Sequence, residues 1–305
     1  MVISLIGLAR GLQQQYHATG RKDILGVIQI IQDLHRVTGV DVLYRIPSDK
    51  INLGTFENQK YSQFKEDGIT EKIFEVIGTT NKFYLDFGGT EDTNNSEVLH
   101  KEHGFKGVLW NGGDINCPYT KVHKEFVTAE NIVDLMKKYE IPDEFDFLSI
   151  DIDGNDWYVW KALCESGKKP RVIVIEYNAT FPPPQDKIII YNATHEYDLT
   201  IYQGASIQSM YNLGRHLGYS LVATESEGYN LFFVRDDIDT SMFYRVNDVE
   251  YHYKTPKLGH RPCGENGRHH TEDCLKTYSI DGILGHKPDL LNRAWVDSST
   301  FLKSP

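Results

Sequence analysis

Phe147-Leu148-Ser149-Ile150-Asp151-Ile152-Asp153-Gly154-Asn155-Asp156 is the stretch that decides how this chain folds. A run of apolar residues with little alternation reads as a strand covered on both faces, the kind that parallel sheets use. Here the run ends in two carboxylates, a glycine, an asparagine and a third carboxylate. A shorter version recurs at Arg171-Val172-Ile173-Val174-Ile175-Glu176-Tyr177-Asn178. Upstream, Lys82-Phe83-Tyr84-Leu85-Asp86-Phe87-Gly88-Gly89 is a third short run ending in an acid and glycines. In an open α/β sheet, ligands bind outside the carboxyl ends of the strands. Three such strands with polar ends therefore point to one shared site. The competing reading is that an acid at a strand end merely caps the helix that follows.

Outward from this stretch the pattern is regular. A helix is expected over 69–77, stopped by Gly78, followed by strands at 82–87 and 107–111 with a helix over 97–103 between them. A short strand at 123–127 precedes a helix opened by Thr128 as N-cap. The strand at 147–152, a helix over 157–164 and a strand at 171–177 come next. After the Pro182-Pro183-Pro184 loop, the stretch 179–204 is long enough to be a lid or part of a substrate pocket. A helix over 206–217 closed by Gly218 leads to two strands, 219–225 and 229–235, joined as a hairpin. Strands alternating with helices imply right-handed βαβ units. The expected fold is α/β, a doubly wound, Rossmann-like, mostly parallel sheet ending in an antiparallel hairpin. Residues 61–240 hold it. Residues 1–60 read as an extension, with an amphipathic helix marked by Ile24, Val27, Ile28, Ile31 and Leu34 and an edge strand over 39–47 stopped at Pro47. Residues 241–305 read as a tail packed on the core or in an oligomer contact.

The chain has 305 residues, 40% hydrophobic and 25% charged, an ordinary globular composition. Its 32 basic and 43 acidic residues give a net charge of −11, which argues against a general nucleic-acid binder. No run approaches the roughly 18 apolar residues that span a bilayer. The apolar start is short and follows no basic residue, so it reads as a structured terminus rather than a signal peptide. These features predict a cytoplasmic protein with no membrane partner. Four cysteines, Cys117, Cys164, Cys263 and Cys274, demand no oxidising compartment. The tripeptides at Asn94, Asn178 and Asn192 fit glycosylation sequons but arise readily by chance. In the tail, His260, Cys263, His269, His270 and Cys274 admit zinc ligation, a Cys263–Cys274 disulfide or no pairing at all.

Five segments in order carry a family resemblance: Asp86-Phe87-Gly88-Gly89, residues 104–109, residues 126–132, residues 146–156 and Ile175-Glu176-Tyr177-Asn178. Over roughly 61–238 the chain resembles FkbM-like S-adenosylmethionine-dependent methyltransferases, which have the class I methyltransferase fold and methylate hydroxyl groups, often on sugars. The resemblance implies that Asp86, Gly88, Gly89 and Asn111 bind S-adenosylmethionine. It places Asp151, Asp153 and Asn155 where methyl donor and acceptor meet, with Glu176 and Asn178 on the acceptor side. Two positions depart from the family pattern. Asn111 stands where an acid normally holds the ribose, and Thr90-Glu91-Asp92 stands where a further glycine often lies. Methyl transfer to a hydroxyl needs its proton removed, so Asp151 or Asp153 is either a general base or, with Glu176, a ligand of Mg²⁺ or Mn²⁺. The expected activity is O-methylation of a sugar, glycan or other hydroxylated metabolite, in a chain that can form a homo-oligomer. The alternatives are a non-catalytic binding module that has lost the cofactor and, on the same acidic cleft, a metal-dependent hydrolase. Trp157, Tyr158 and Trp160 read either as stacking rings or as core. His195 and Glu196 read either as acceptor contacts or as solvated loop, and Tyr202, Gln203 and Gly204 open the next helix as candidate pocket lining.

Overall fold

Seven strands form the central sheet in a computed structural model that describes residues 2–3, 44–45, 49–90, 93–197, 202–254 and 293–302. They are β1 (Phe83–Phe87), β2 (Lys106–Asn111), β3 (Val122–Lys124), β4 (Glu144–Ile150), β5 (Lys169–Glu176), β6 (Tyr219–Thr224) and β7 (Asn230–Arg235). Their order across the sheet is β3-β2-β1-β4-β5-β7-β6. β3, β2, β1, β4 and β5 pair in parallel, and β7 runs antiparallel to both β5 and β6. The chain is thus a mixed α/β protein with a mostly parallel sheet and an antiparallel hairpin, a Rossmann-like arrangement.

The continuous apolar runs are explained by cover on both sides. Leu148, Ile173 and Ile175 belong to one buried cluster, while Phe147, Val172 and Val174 belong to the other. Successive side chains point to opposite faces, so a strand buried on both has no polar position to spare. The first cluster holds residues of α3 (Ile132–Lys138), α4 (Asp156–Glu165) and α5 (Ile207–Leu217). The second holds those of α1 (Glu66–Ile77) and α2 (Glu97–His103). Leu53 and Phe243 share the second cluster with Ile69, so the packed unit starts before residue 61 and runs past 240.

Several boundaries differ from expectation for identifiable reasons. β4 stops at Ile150, and Asp156 then accepts the amides of Ile152 and Gly154, which turns the chain into α4. Thr128 does not begin a helix. It and Asn131 accept each other's backbone amides in a reciprocal turn, and α3 starts three residues later than a Thr128 cap would give. α1 begins earlier, at Glu66, because Asp67 gathers the amides of Lys60, Tyr61 and Ser62 at its start. Trp157, Tyr158 and Trp160 are core rather than stacking rings. The Trp157 indole donates to the Ser209 carbonyl, Tyr158 donates to the Ile189 carbonyl, and Trp160 packs on Tyr219 and Phe233.

Near the end of the chain, Trp295–Val296 pairs antiparallel with Ile188–Ile189. Ser298 donates to Asp186, and Phe301 packs on Trp157 and Tyr158. Tyr44–Arg45 pairs antiparallel with Val2–Ile3. The helix expected around Ile24–Leu34 and the Cys/His group at 260–274 lie outside the described residues, as does most of 39–47.

A four-residue helix, α6 (Val249–His252), buries His252 with its Nε2 bonded to the Arg245 carbonyl at 2.8 Å. Burial, reinforced by Lys254, lowers its pKa to about 4. Between pH 6.5 and 4 the unfolded chain therefore takes up a proton that the native ring refuses, and stability falls on acidification. The expected loss from this one group between pH 7.5 and 5 is roughly 2 kcal/mol. Urea unfolding of wild type and His252→Gln at both pH values checks it. The wild type should lose about that much more than the variant, and equal losses would refute the assignment.

Candidate functional site

The carboxyl ends of β1, β2 and β4 are latched together by backbone. Gly88 N–H donates to the Trp110 carbonyl and Asp151 N–H to the Phe87 carbonyl. Gly88 has φ +97°, and a Cβ placed there would lie 1.3 Å from the Asp151 carbonyl oxygen. Only glycine allows that approach, so the turn after β1 packs directly on the loop after β4. Over this junction lies a cleft of about 220 Å³, whose lining includes Gly88, Asn111, Phe126, Asp151, Asp153 and His195. A second cavity, about 20 Å³, shares Gly88, Asp151 and Asp153 with it and reaches down to Asp86, Asn94 and Asn230.

Asp86 is fully buried, and its Oδ2 accepts from the amide and hydroxyl of Ser96 at the start of α2. The capping reading thus describes that carboxylate's main contact. Burial raises its pKa to about 6, against the lowering effect of the Ser96 bonds. The Asn111 amide is also committed to backbone. Nδ2 donates to the Gly89 carbonyl at 2.7 Å and Oδ1 accepts from Gly113 N–H at 2.7 Å. It ties the turns after β1 and β2 together while its side chain lines the cleft.

Asp151, Asp153 and Glu176 do come together. Each offers one carboxylate oxygen, and the three lie within 4.8 Å of one another. Asp153 adopts φ +53°, a left-handed conformation, in the tight turn that Asp156 holds from inside. Burial, with backbone bonds opposing it, raises the Asp156 pKa to about 6. Asn155 is buried with Nδ2 on the Asn192 carbonyl and Oδ1 lacking a partner, and it lines the main cleft. Asn178 is elsewhere. Its side chain donates to the Gln203 carbonyl and accepts from Thr180 N–H, without lining either cavity.

His195 and Glu196 reach the cleft from the long segment after β5. The His195 ring lies against Gly154, where a Cβ would be 2.2 Å from its Cδ2. Its Nε2 is buried without a hydrogen-bond partner. Tyr202 instead donates to the Ala294 carbonyl and packs on Trp295, and Gly204 bonds Gly154 through the backbone, so neither lines the cavities. Sequence reasoning missed Phe126, an exposed ring at the cleft, and Asn230, the first residue of β7. Phe126 sits inside one of the five resembling segments and was legible there. Asn230 had no local signal, because only sheet pairing brings it opposite Glu176.

The assembled site is a polar cleft at the carboxyl edge of a parallel sheet, with a glycine turn on one side and converging carboxylates on the other. No model of a known protein family matches the chain, and no curated protein sequence matches it. Among the described residues no helix is long and apolar enough to cross a membrane.

Proposed function

We propose that the chain is an S-adenosylmethionine-dependent O-methyltransferase of class I fold, FkbM-like, acting on a hydroxyl of a sugar, glycan or other hydroxylated metabolite. The observation that carries this reading is the packing of the Gly88 turn on Asp151, where the mouths of β1 and β4 meet in a sheet of order 3-2-1-4-5-7-6. The surroundings fit a cofactor with a ring system and a short polar arm. The cleft of about 220 Å³ has Gly88, Asn111, Asp151 and Asp153 in its polar lining and the Phe126 ring beside them, and Asn155 keeps an unpaired oxygen in the same wall.

When bound, S-adenosylmethionine supplies an electrophilic sulfonium methyl. The backbone of Gly88 and Gly89 would hold its polar arm, with Asn111 bracing that turn and Phe126 covering the ring. Asp151 or Asp153 would take the acceptor hydroxyl's proton as the oxygen–carbon bond forms. Asn155 and His195, which line the same cleft, would orient the acceptor, with Glu176 beside the two aspartates.

Calorimetric titration with S-adenosylmethionine and S-adenosylhomocysteine is the direct test, and micromolar binding is the expected result. With an acceptor found by screening sugars, Asp151→Asn should lower turnover by about 100-fold or more while the melting temperature holds. Unchanged turnover would remove Asp151 from this role. One observation favours a second reading, a non-catalytic binding module. Both ends of the Asn111 amide are spent on backbone at the place where an acid would hold a ribose. Failure of both cofactors to bind would select it.

A further inference from the structure

Nothing larger than a single ion or water fits the small cavity below the main cleft, which holds about 20 Å³. Its wall is oxygen-rich, with Asp86, Asp151, Asp153, Ser149, Asn94 and Asn230 all contributing. Glu176, at the end of the adjacent strand β5, brings one carboxylate oxygen within 4.8 Å of those offered by Asp151 and Asp153. Oxygens sharing one octahedral Mg²⁺ at about 2.1 Å lie about 3 Å apart when adjacent and about 4.2 Å apart when opposite. Side-chain rotation that draws the three carboxylates together would let them share an ion.

Asn230 supplies an independent pointer. It is 4% exposed, and its Oδ1 has no hydrogen-bond partner. Its Nδ2 donates to Glu66 Oε1 at 2.8 Å, which fixes the amide's orientation and leaves the oxygen for the cavity. In the β5–β7 ladder Asn230 lies directly opposite Glu176, so the two side chains share a face of the sheet. A buried carbonyl oxygen left unpaired is costly, and a cation satisfies it.

We propose that Asp151, Asp153 and Glu176 bind one divalent cation of the Mg²⁺/Mn²⁺ class, with Asn230 Oδ1 as a neutral fourth oxygen in or beside its coordination shell. Three carboxylates and an amide oxygen form a hard donor set that suits these ions and disfavours zinc. Among the described residues a second group of close ligands, Glu71, Glu102 and His103, differs in kind. It is half-buried to exposed, and Lys60 already bridges Glu71 and Glu102 at 2.9 and 2.7 Å. The cation's use, lowering the pKa of an acceptor hydroxyl whose proton passes to the aspartate oxygen left outside the coordination shell, rests on the methyl-transfer reading; its binding does not.

The test is a Mn²⁺ titration of chelator-stripped protein, read by the electron paramagnetic resonance of free Mn²⁺ and repeated with Mg²⁺ as competitor. One saturable ion per chain is expected. Asp153→Asn and Glu176→Gln should each weaken binding tenfold or more, Asn230→Ala should weaken it several-fold, and Glu102→Gln should leave it unchanged. The first two variants should also lose the metal-induced rise in melting temperature that wild type shows. If either fails to fold, Asn230→Ala decides. Absence of saturable binding, or binding lost in Glu102→Gln but kept in Asp153→Asn, would overturn the proposal. Titrating S-adenosylmethionine into the same samples separates the two claims. Donor binding without Mn²⁺ binding refutes the ion alone, and Mn²⁺ binding without donor binding refutes the methyltransferase alone.

Discussion

Gly88→Ala is expected to destabilise the fold by about 2–5 kcal/mol and, on the proposed methyltransferase reading, to abolish S-adenosylmethionine binding in whatever remains folded. Two costs combine. A φ of +97° is strained for any residue with a Cβ, and the new methyl would sit 1.3 Å from the Asp151 carbonyl oxygen. That oxygen belongs to backbone, so it can retreat only by pulling the loop after β4 away from β1. The Asp151 and Asp153 carboxylates would move with it and the shared cleft would open. Gly104→Ala is the control. Gly104 has φ +70° with no atom within 4 Å of an added Cβ, so its alanine bears the strain without the clash, about 1–2 kcal/mol. Denaturant midpoints and calorimetry on both variants decide the matter. Equal destabilisation with cofactor binding intact in both would show that the β1–β4 junction is not what shapes the site.

Asp146→Ala should be the most damaging change away from the cleft, costing about 3–5 kcal/mol. Asp146 is completely buried at the start of β4. It accepts from Thr80 N–H, the Thr80 hydroxyl, Lys82 N–H and the Arg171 guanidinium, at 2.7–3.0 Å. Arg171 also donates to the carbonyls of Ile77 and Gly78, clamping the end of α1 to the sheet. Alanine would leave a nearly buried guanidinium and two amides without their acceptor, and unpaired buried groups bear the full desolvation cost. Because this clamp lies at the amino-terminal edge of the sheet, opposite the cleft, cofactor affinity of the folded fraction should not change. A cost below about 1 kcal/mol by urea unfolding would mean that water replaces the carboxylate freely.

The strands were readable because burial on both faces removes polar residues from the sequence itself. Val172 to Ile175 can be nothing but interior, and their neighbours follow from the same logic. Helix ends were readable where a glycine or serine acts locally, as at Gly78, Ser206 and Gly218. Where a distant or reciprocal bond sets the end, the reading slipped, as at Thr128 and at the start of α1. The site divided in the same way. Asp151, Asp153 and Glu176 were expected to meet, and adjacent parallel strands bring them together. Asp86, Asn111 and Asn178 have the right residue types, but most of their bonding is with neighbouring backbone and hydroxyl groups.

By itself, then, the sequence determined that β1, β4 and β5 are buried parallel strands with acids at their mouths, since period and polarity are properties of a few adjacent residues. Tertiary structure alone decided which of those acids face a cavity. An acid's partners are chosen by long-range geometry: Ser96 draws Asp86 inward, Asn230 is brought opposite Glu176 by the returning hairpin, and His195 arrives across Gly154 from a segment some forty residues away. Hydrogen-bonding capacity is finite, so a side chain's availability for chemistry is what remains after the fold has used its share. That remainder cannot be computed from one strand at a time.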